Sequence, residues 1–108
     1  MDSVFFNFVD KAKIHAKIAT GEFPFSKYLF WDTALDMIDK VKHKRSIIER
    51  VITRGKLEDV YTLIQMYSNA EISDAITHSR ILDSKTANFC SIVFNIPKSS
   101  IHVSSYYG

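Results

Sequence analysis

The sequence predicts an all-α fold: a small bundle of five or six helices with a helix-turn-helix-like centre, an aromatic loop after helix one and an extended C-terminal tail. Three observations carry this. Apolar residues recur at i, i+3 and i+4 through much of the chain. Helix-start signals precede those runs, such as Ser68-Asn69-Ala70-Glu71 and Asp83 before Ser84-Lys85-Thr86. Helix breakers are few: 3 Gly and 2 Pro in 108 residues that are 46% hydrophobic. That length suits one helical domain over residues 1–108, with a single core.

Helix one is expected from about Ser3 to Thr20, stopped by Gly21. Phe5, Phe8, Val9, Ala12, Ala16 and Ala19 form one stripe on it, and Val4, Ile14 and Ile18 a second patch. So wide an apolar surface predicts a homodimer through Phe5, Phe8, Ala12 and Ala16, the alternative being that helix one lies wholly across its own bundle. Residues 22–31 hold Pro24 and five aromatics without period, which reads as a loop containing a short turn. Asp32 is the expected cap of a helical turn over Thr33–Lys40, or a partner for Arg50.

The following elements have clearer signals. A helix from about Lys42 to Arg54 should bury Ile47, Ile48, Val51 and Ile52 and end at Gly55. The next, from Leu57 to Tyr67, should bury Val60, Leu63, Ile64 and Tyr67, with Glu58 and Asp59 complementing its N-terminal dipole. After the Ser68/Glu71 capping box, a helix to about Arg80 should bury Ile72, Ala75 and Ile76. Leu82 and Ala87 make a hydrophobic staple for the last helix, which should bury Phe89, Cys90, Val93 and Phe94 before Pro97. The tail from Lys98 reads as an edge strand or an extended arm.

Little in the chain suggests catalysis. His15, His43, His78 and His102 share no ligand spacing, so no metal is expected. Cys90 sits among apolar neighbours and reads as a buried, inert thiol. The glycines stand apart, which excludes phosphate-cradling loops, and no cofactor is expected. The carboxylate pairs Asp36/Asp39, Glu58/Asp59 and Glu71/Asp74 fall at helix starts or on polar faces. The reading is a non-enzymatic protein. One cysteine points to a reducing cytoplasm, and no apolar run approaches a membrane span of about 20 residues.

Charge is concentrated in one block. Residues 40–56 hold seven bases and one acid, Glu49. Lys42, Lys44, Arg45 and Lys56 are the candidate nucleic-acid contacts, although a solvated face with an Arg45/Glu49 pair is the simpler reading. The helix after Ser68 presents Glu71 and Asp74, which makes a poor DNA-recognition helix. The aromatic loop has two readings. As a strap it would complete the core, with Trp31 buried against the helix of Ile48 and Ile52. As an exposed cluster, Phe25, Tyr28, Phe30 and Trp31 would be partner-binding anchors.

A resemblance adds a lead. Leu29-Phe30-Trp31-Asp32, Ile47-Ile48-Glu49-Arg50-Val51, Arg54-Gly55, Leu57-Glu58-Asp59, Met66-Tyr67 and Glu71-Ile72 carry its first part. Ser79-Arg80-Ile81-Leu82-Asp83, Thr86-Ala87-Asn88-Phe89 and Phe94-Asn95-Ile96-Pro97 extend it. Together these resemble a bacterial family of small uncharacterised antitoxin-like domains encoded beside AbiEii-type nucleotidyltransferase toxins, over about residues 25–97. Lys56 departs from it, standing where a Ser or Thr cap is expected, and so does Cys90, where a large aromatic often follows Phe89. The resemblance implies a cytoplasmic partner protein in a toxin–antitoxin system. The alternative is a helix-turn-helix-like DNA-binding transcriptional regulator.

Overall fold

Five α-helices make up the regular structure among the described residues of the computed structural model, which are 6–34 and 37–103. They are α1 (Lys11–Thr20), α2 (Lys44–Arg54), α3 (Leu57–Met66), α4 (Asn69–His78) and α5 (Ser84–Phe94). Short 3-10 turns occupy Lys27–Phe30 and Lys98–Ser100. The protein is an all-α bundle, as its periodicity predicts. None of these helices is long and apolar enough to cross a membrane.

Helix α2 is the central element. Its stripe of Ile47, Ile48, Val51 and Ile52 is buried in full, and it packs against α3, α4, α5 and the 27–30 turn. Gly55 ends it in an extended conformation (φ −75°). A Cβ at Gly55 would lie 2.6 Å from the Val51 carbonyl oxygen, so close approach, not a positive φ, demands glycine there. Gly21 does need a positive φ, 78°, where it ends α1.

The cap signals in the sequence work as read. Ser68 Oγ accepts from the Glu71 N–H at 3.1 Å, and Glu71 accepts from the Ser68 N–H at 3.0 Å. Asp83 accepts from the Thr86 N–H at 2.7 Å, and Leu82 and Ala87 are both buried as a staple. Lys56 has no acceptor to offer α3. Asp59 does the capping from the third helical position instead, taking the Lys56 N–H at 3.0 Å.

Helix one differs from expectation. It begins at Lys11, where Asp10 accepts from the Lys13 N–H at 3.1 Å and so starts a helix of its own. The chain before it turns at Phe6–Val9 instead of continuing the helix. The break rotates the N-terminal apolar residues. Phe6 is fully buried and packs on Tyr61 with ring centroids 5.6 Å apart, while Phe8 is 99% exposed. Ile14 is buried and Ile18 half-buried, whereas Ala12, Ala16 and Ala19 face outward. Val4 and Phe5 lie outside the described residues.

Within the expected helical turn over Thr33–Lys40, Met37 lies in a 3-10 turn, its N–H donating to the Ala34 carbonyl at 3.0 Å, and residues 35–36 lie outside the described residues. Asp39 accepts from the Val41 and Lys42 N–H groups, both at 2.9 Å, an Asx turn that competes with helix. Asp36 of the Asp36/Asp39 pair lies outside the described residues. The tail folds back as an arm: Ile101 is buried, and Val103 forms an isolated parallel bridge with Leu82. Residues 104–108 lie outside the described residues.

Candidate interaction surface

The surface is built by the aromatic segment and the face of α2 beneath it. Pro24 and Phe25 are buried at its entry. Ser26 then donates its N–H at 2.7 Å and its hydroxyl at 2.8 Å to Asp59. Asp59 is only 2% exposed and accepts three hydrogen bonds, two from Ser26 and one from Lys56. A buried carboxylate is tolerated only when so satisfied. It clasps the start of the loop to the start of α3.

The loop then divides. Phe23, Phe25 and Phe30 form one cluster, with ring centroids 5.2 Å apart for Phe23 and Phe30 and 5.9 Å for Phe23 and Phe25. Phe25 and Phe30 are each 4% exposed, so they are core residues and not the partner anchors the exposed-cluster reading required. Tyr28 is half-exposed, and its hydroxyl donates to the Arg54 carbonyl at 2.7 Å, satisfying a backbone group at the end of α2.

Phe25 and Phe30 fit the strap reading, but Trp31 does not. It is 77% exposed and so is not buried against the helix of Ile48 and Ile52. The reason is local. The 27–30 turn points Leu29 and Phe30 inward, and the next residue leaves the turn on the outer side. Asp32 is then pinned, accepting from Arg50 at 2.6 and 3.1 Å in a bidentate pair. Arg50 also donates to the Leu29 carbonyl at 3.0 Å and stands 5.4 Å from the Phe30 ring centroid. That arginine hydrogen bond holds the Asp32 carboxyl below its ordinary range. Trp31 is thus presented from a fixed base.

Beside it runs a groove of about 290 Å³ lined by Leu29, Trp31, Asp32, Glu49, Arg50, Thr53, Arg54 and Ile81. A second hollow of about 320 Å³ continues it past Arg54 and Ile81 to Asp83 and Thr86. Ile81 is 52% exposed and stands with Trp31 as its second exposed large apolar group. Sequence reasoning missed Ile81 as a surface anchor. The signal was present: in an extended link, adjacent residues point to opposite sides, so a Leu82 buried as a staple turns Ile81 outward.

The basic block has other engagements. Lys44 pairs with Glu71 at 3.3 Å and Arg45 with Asp74 at 3.1 Å. The expected Arg45/Glu49 pair does not form, because α4 packs beside α2 and brings Asp74 within reach. Glu49 instead accepts from the Ser79 hydroxyl at 2.6 Å. Of the four candidate nucleic-acid contacts, Lys42 and Lys56 are exposed and Lys44 and Arg45 are spent on α4.

The groups read as chemically silent have structural surroundings. His15 Nε2 is 3.1 Å from the Tyr61 hydroxyl, and His43 Nδ1 accepts from the Asp39 N–H at 3.1 Å. Cys90 is fully buried, and burial pushes its thiol up to about 12. Burial likewise pushes Tyr67 up to about 12, with its hydroxyl donating to the Lys40 carbonyl at 2.7 Å.

Residues 25–76 match the model of a family of unknown function (DUF6922), a little under half of the chain. That description states no activity and no partner. No curated protein and no solved structure matches the chain. The matched span covers the Asp59 clasp, Trp31, the Asp32–Arg50 pair and both ion pairs between α2 and α4. It leaves out α1, α5 and Ile81.

Proposed function

We propose that this chain is a non-enzymatic interaction domain that docks a partner protein on the groove between Trp31 and Ile81. One observation carries the reading: the single tryptophan is 77% exposed, yet its base is fixed by a bidentate ion pair. Tryptophan is enriched at interface hot spots, and an anchor whose neighbouring backbone is already pinned has less entropy to lose when the partner arrives. Ile81 and Arg54 extend the same surface. The sequence resemblance supplies the class of partner, a nucleotidyltransferase toxin in a bacterial cytoplasm, with this chain as the antitoxin-like half.

The test is a titration of the chain with a purified AbiEii-type nucleotidyltransferase. Binding should shift Trp31 emission to the blue. Trp31→Ala should weaken the complex about thirtyfold or more, the loss of a hot-spot residue. Binding that is indifferent to Trp31→Ala and Ile81→Ala would remove this groove from the reading, and absence of a complex would remove the toxin.

A homodimer is the second reading, favoured by Phe8 at 99% exposure with Ala12 and Ala16 also outward. Sedimentation at micromolar concentration should then give twice the 12.4 kDa of the chain. Phe8→Glu should return it to a monomer.

A further inference from the structure

On the side of the molecule built by the end of α4 and the returning tail, a cleft of about 490 Å³ opens. Its lining offers hydrogen-bond donors: the guanidinium groups of Arg45 and Arg80, the imidazoles of His78 and His102, and the hydroxyls of Ser99 and Ser100. No carboxylate belongs to that lining. Asp74 stands beside it and is already engaged, with Arg45 at 3.1 Å and His78 at 3.3 Å. Glu49, the other nearby acid, is occupied by the Ser79 hydroxyl at 2.6 Å.

Arg80 and His102 differ from these. Both are exposed, and among the described residues neither side chain has a hydrogen bond or an ion pair. They come from separate parts of the chain, the α4–α5 link and the tail, and are brought together by packing. Ile101 is 6% exposed and Leu82 1%, and the Leu82–Val103 bridge ties the tail to the link. The Ser100 and Ile101 N–H groups close the 98–100 turn at 2.9 and 3.1 Å. The cleft therefore has a fixed wall on the tail side. Its volume falls in the range of small-molecule sites.

We propose that this cleft binds the phosphate group of a small phosphorylated ligand, with Arg80 and His102 as the principal anion contacts. A guanidinium offers paired donors that match phosphate oxygens, and serine hydroxyls add neutral donors. Arg45, held by Asp74, lines the cleft as a further cation. The site is separate from the Trp31 groove, and of its lining only Arg45 lies inside the family-matched span.

Inorganic pyrophosphate is the probe, followed by the ring resonances of the histidines. Saturable shifts at His78 and His102 are expected. The double variant Arg80→Ala, His102→Ala should bind at least about tenfold more weakly, as loss of a charge-assisted hydrogen bond implies. Lys85→Ala, on exposed α5 surface away from the lining, should bind as the parent does. Arg80→Gln alone keeps the test open if the double variant fails to fold. Absence of saturable shifts, or equal binding by parent and Arg80→Gln, would overturn the proposal. Binding of a single-stranded oligonucleotide without binding of pyrophosphate or ADP would overturn the small-ligand assignment.

Discussion

Phe30 and Trp31 are adjacent in sequence and similar in chemistry, yet one is 4% exposed and the other 77%. The division runs through the whole aromatic segment. Its entry is fastened from inside by the Asp59 clasp and the phenylalanine cluster. Its exit is fastened from outside by the Asp32–Arg50 pair. One segment thus serves two purposes, with Phe25 and Phe30 completing the core and Trp31 left on display. The lesson is that aromatic content alone does not separate a core strap from a binding anchor. The backbone turn between them does.

The largest test of this contrast is a pair of truncations. Phe30→Ala should cost about 3–5 kcal/mol in denaturant unfolding, as large aromatic core truncations do. Trp31→Ala should cost under about 1 kcal/mol, a surface value. Equal losses would erase the distinction.

Asp59→Ala should come next, at about 2–4 kcal/mol, because it leaves the Ser26 N–H and hydroxyl and the Lys56 N–H without their acceptor in a buried place. Ser26→Ala should cost only about 1 kcal/mol, since it removes one donor and leaves the carboxylate two. If the clasp is what orients the exit, Asp59→Ala should also change the exposure of Trp31.

Smaller effects follow from pH. Hydrogen bonds hold Asp32, Asp39, Glu71 and Asp83 below their ordinary values: Arg50 chiefly for Asp32, backbone N–H groups chiefly for the others. A lowered carboxyl stabilises the fold above its unfolded value, and that stability is lost as pH falls through the folded one. Acid titration should therefore show a shallow loss of stability through the carboxylate range, and Asp32→Asn should flatten it further. Tyr67 and Cys90 are raised to about 12 by burial of their neutral forms. Their share of stability is present at neutral pH and should be lost as alkaline pH approaches 12.

The elements most legible in the sequence were those with local signals. The core stripe of α2, the Ser68/Glu71 box and the Leu82–Ala87 staple are written within single turns, and they hold as read. What escaped was non-local or depended on one backbone break. Asp59 sits where a dipole-complementing acid belongs, but its clasp partner Ser26 is 33 positions away. The stripe over Phe5, Phe8 and Val9 presumed an unbroken helix, and Asp10 as an N-cap rotates Phe6 inward and Phe8 outward. Arg45 met Asp74 instead of Glu49 because tertiary packing overrode the i, i+4 neighbour. At the candidate surface, the sequence leaves Trp31 open between a buried strap and an exposed anchor, and Ile81 and the groove needed the fold to bring residues 31, 54 and 81 together.

The central claim, that Trp31 is an anchored but uncovered side chain, has a direct measurement. The chain contains one tryptophan, so its emission reports that position alone. Acrylamide quenching of the folded monomer should approach that of a free tryptophan derivative, with red-shifted emission, and protection should appear only when a partner covers the groove. Blue-shifted, quencher-resistant emission from the folded monomer would contradict the account.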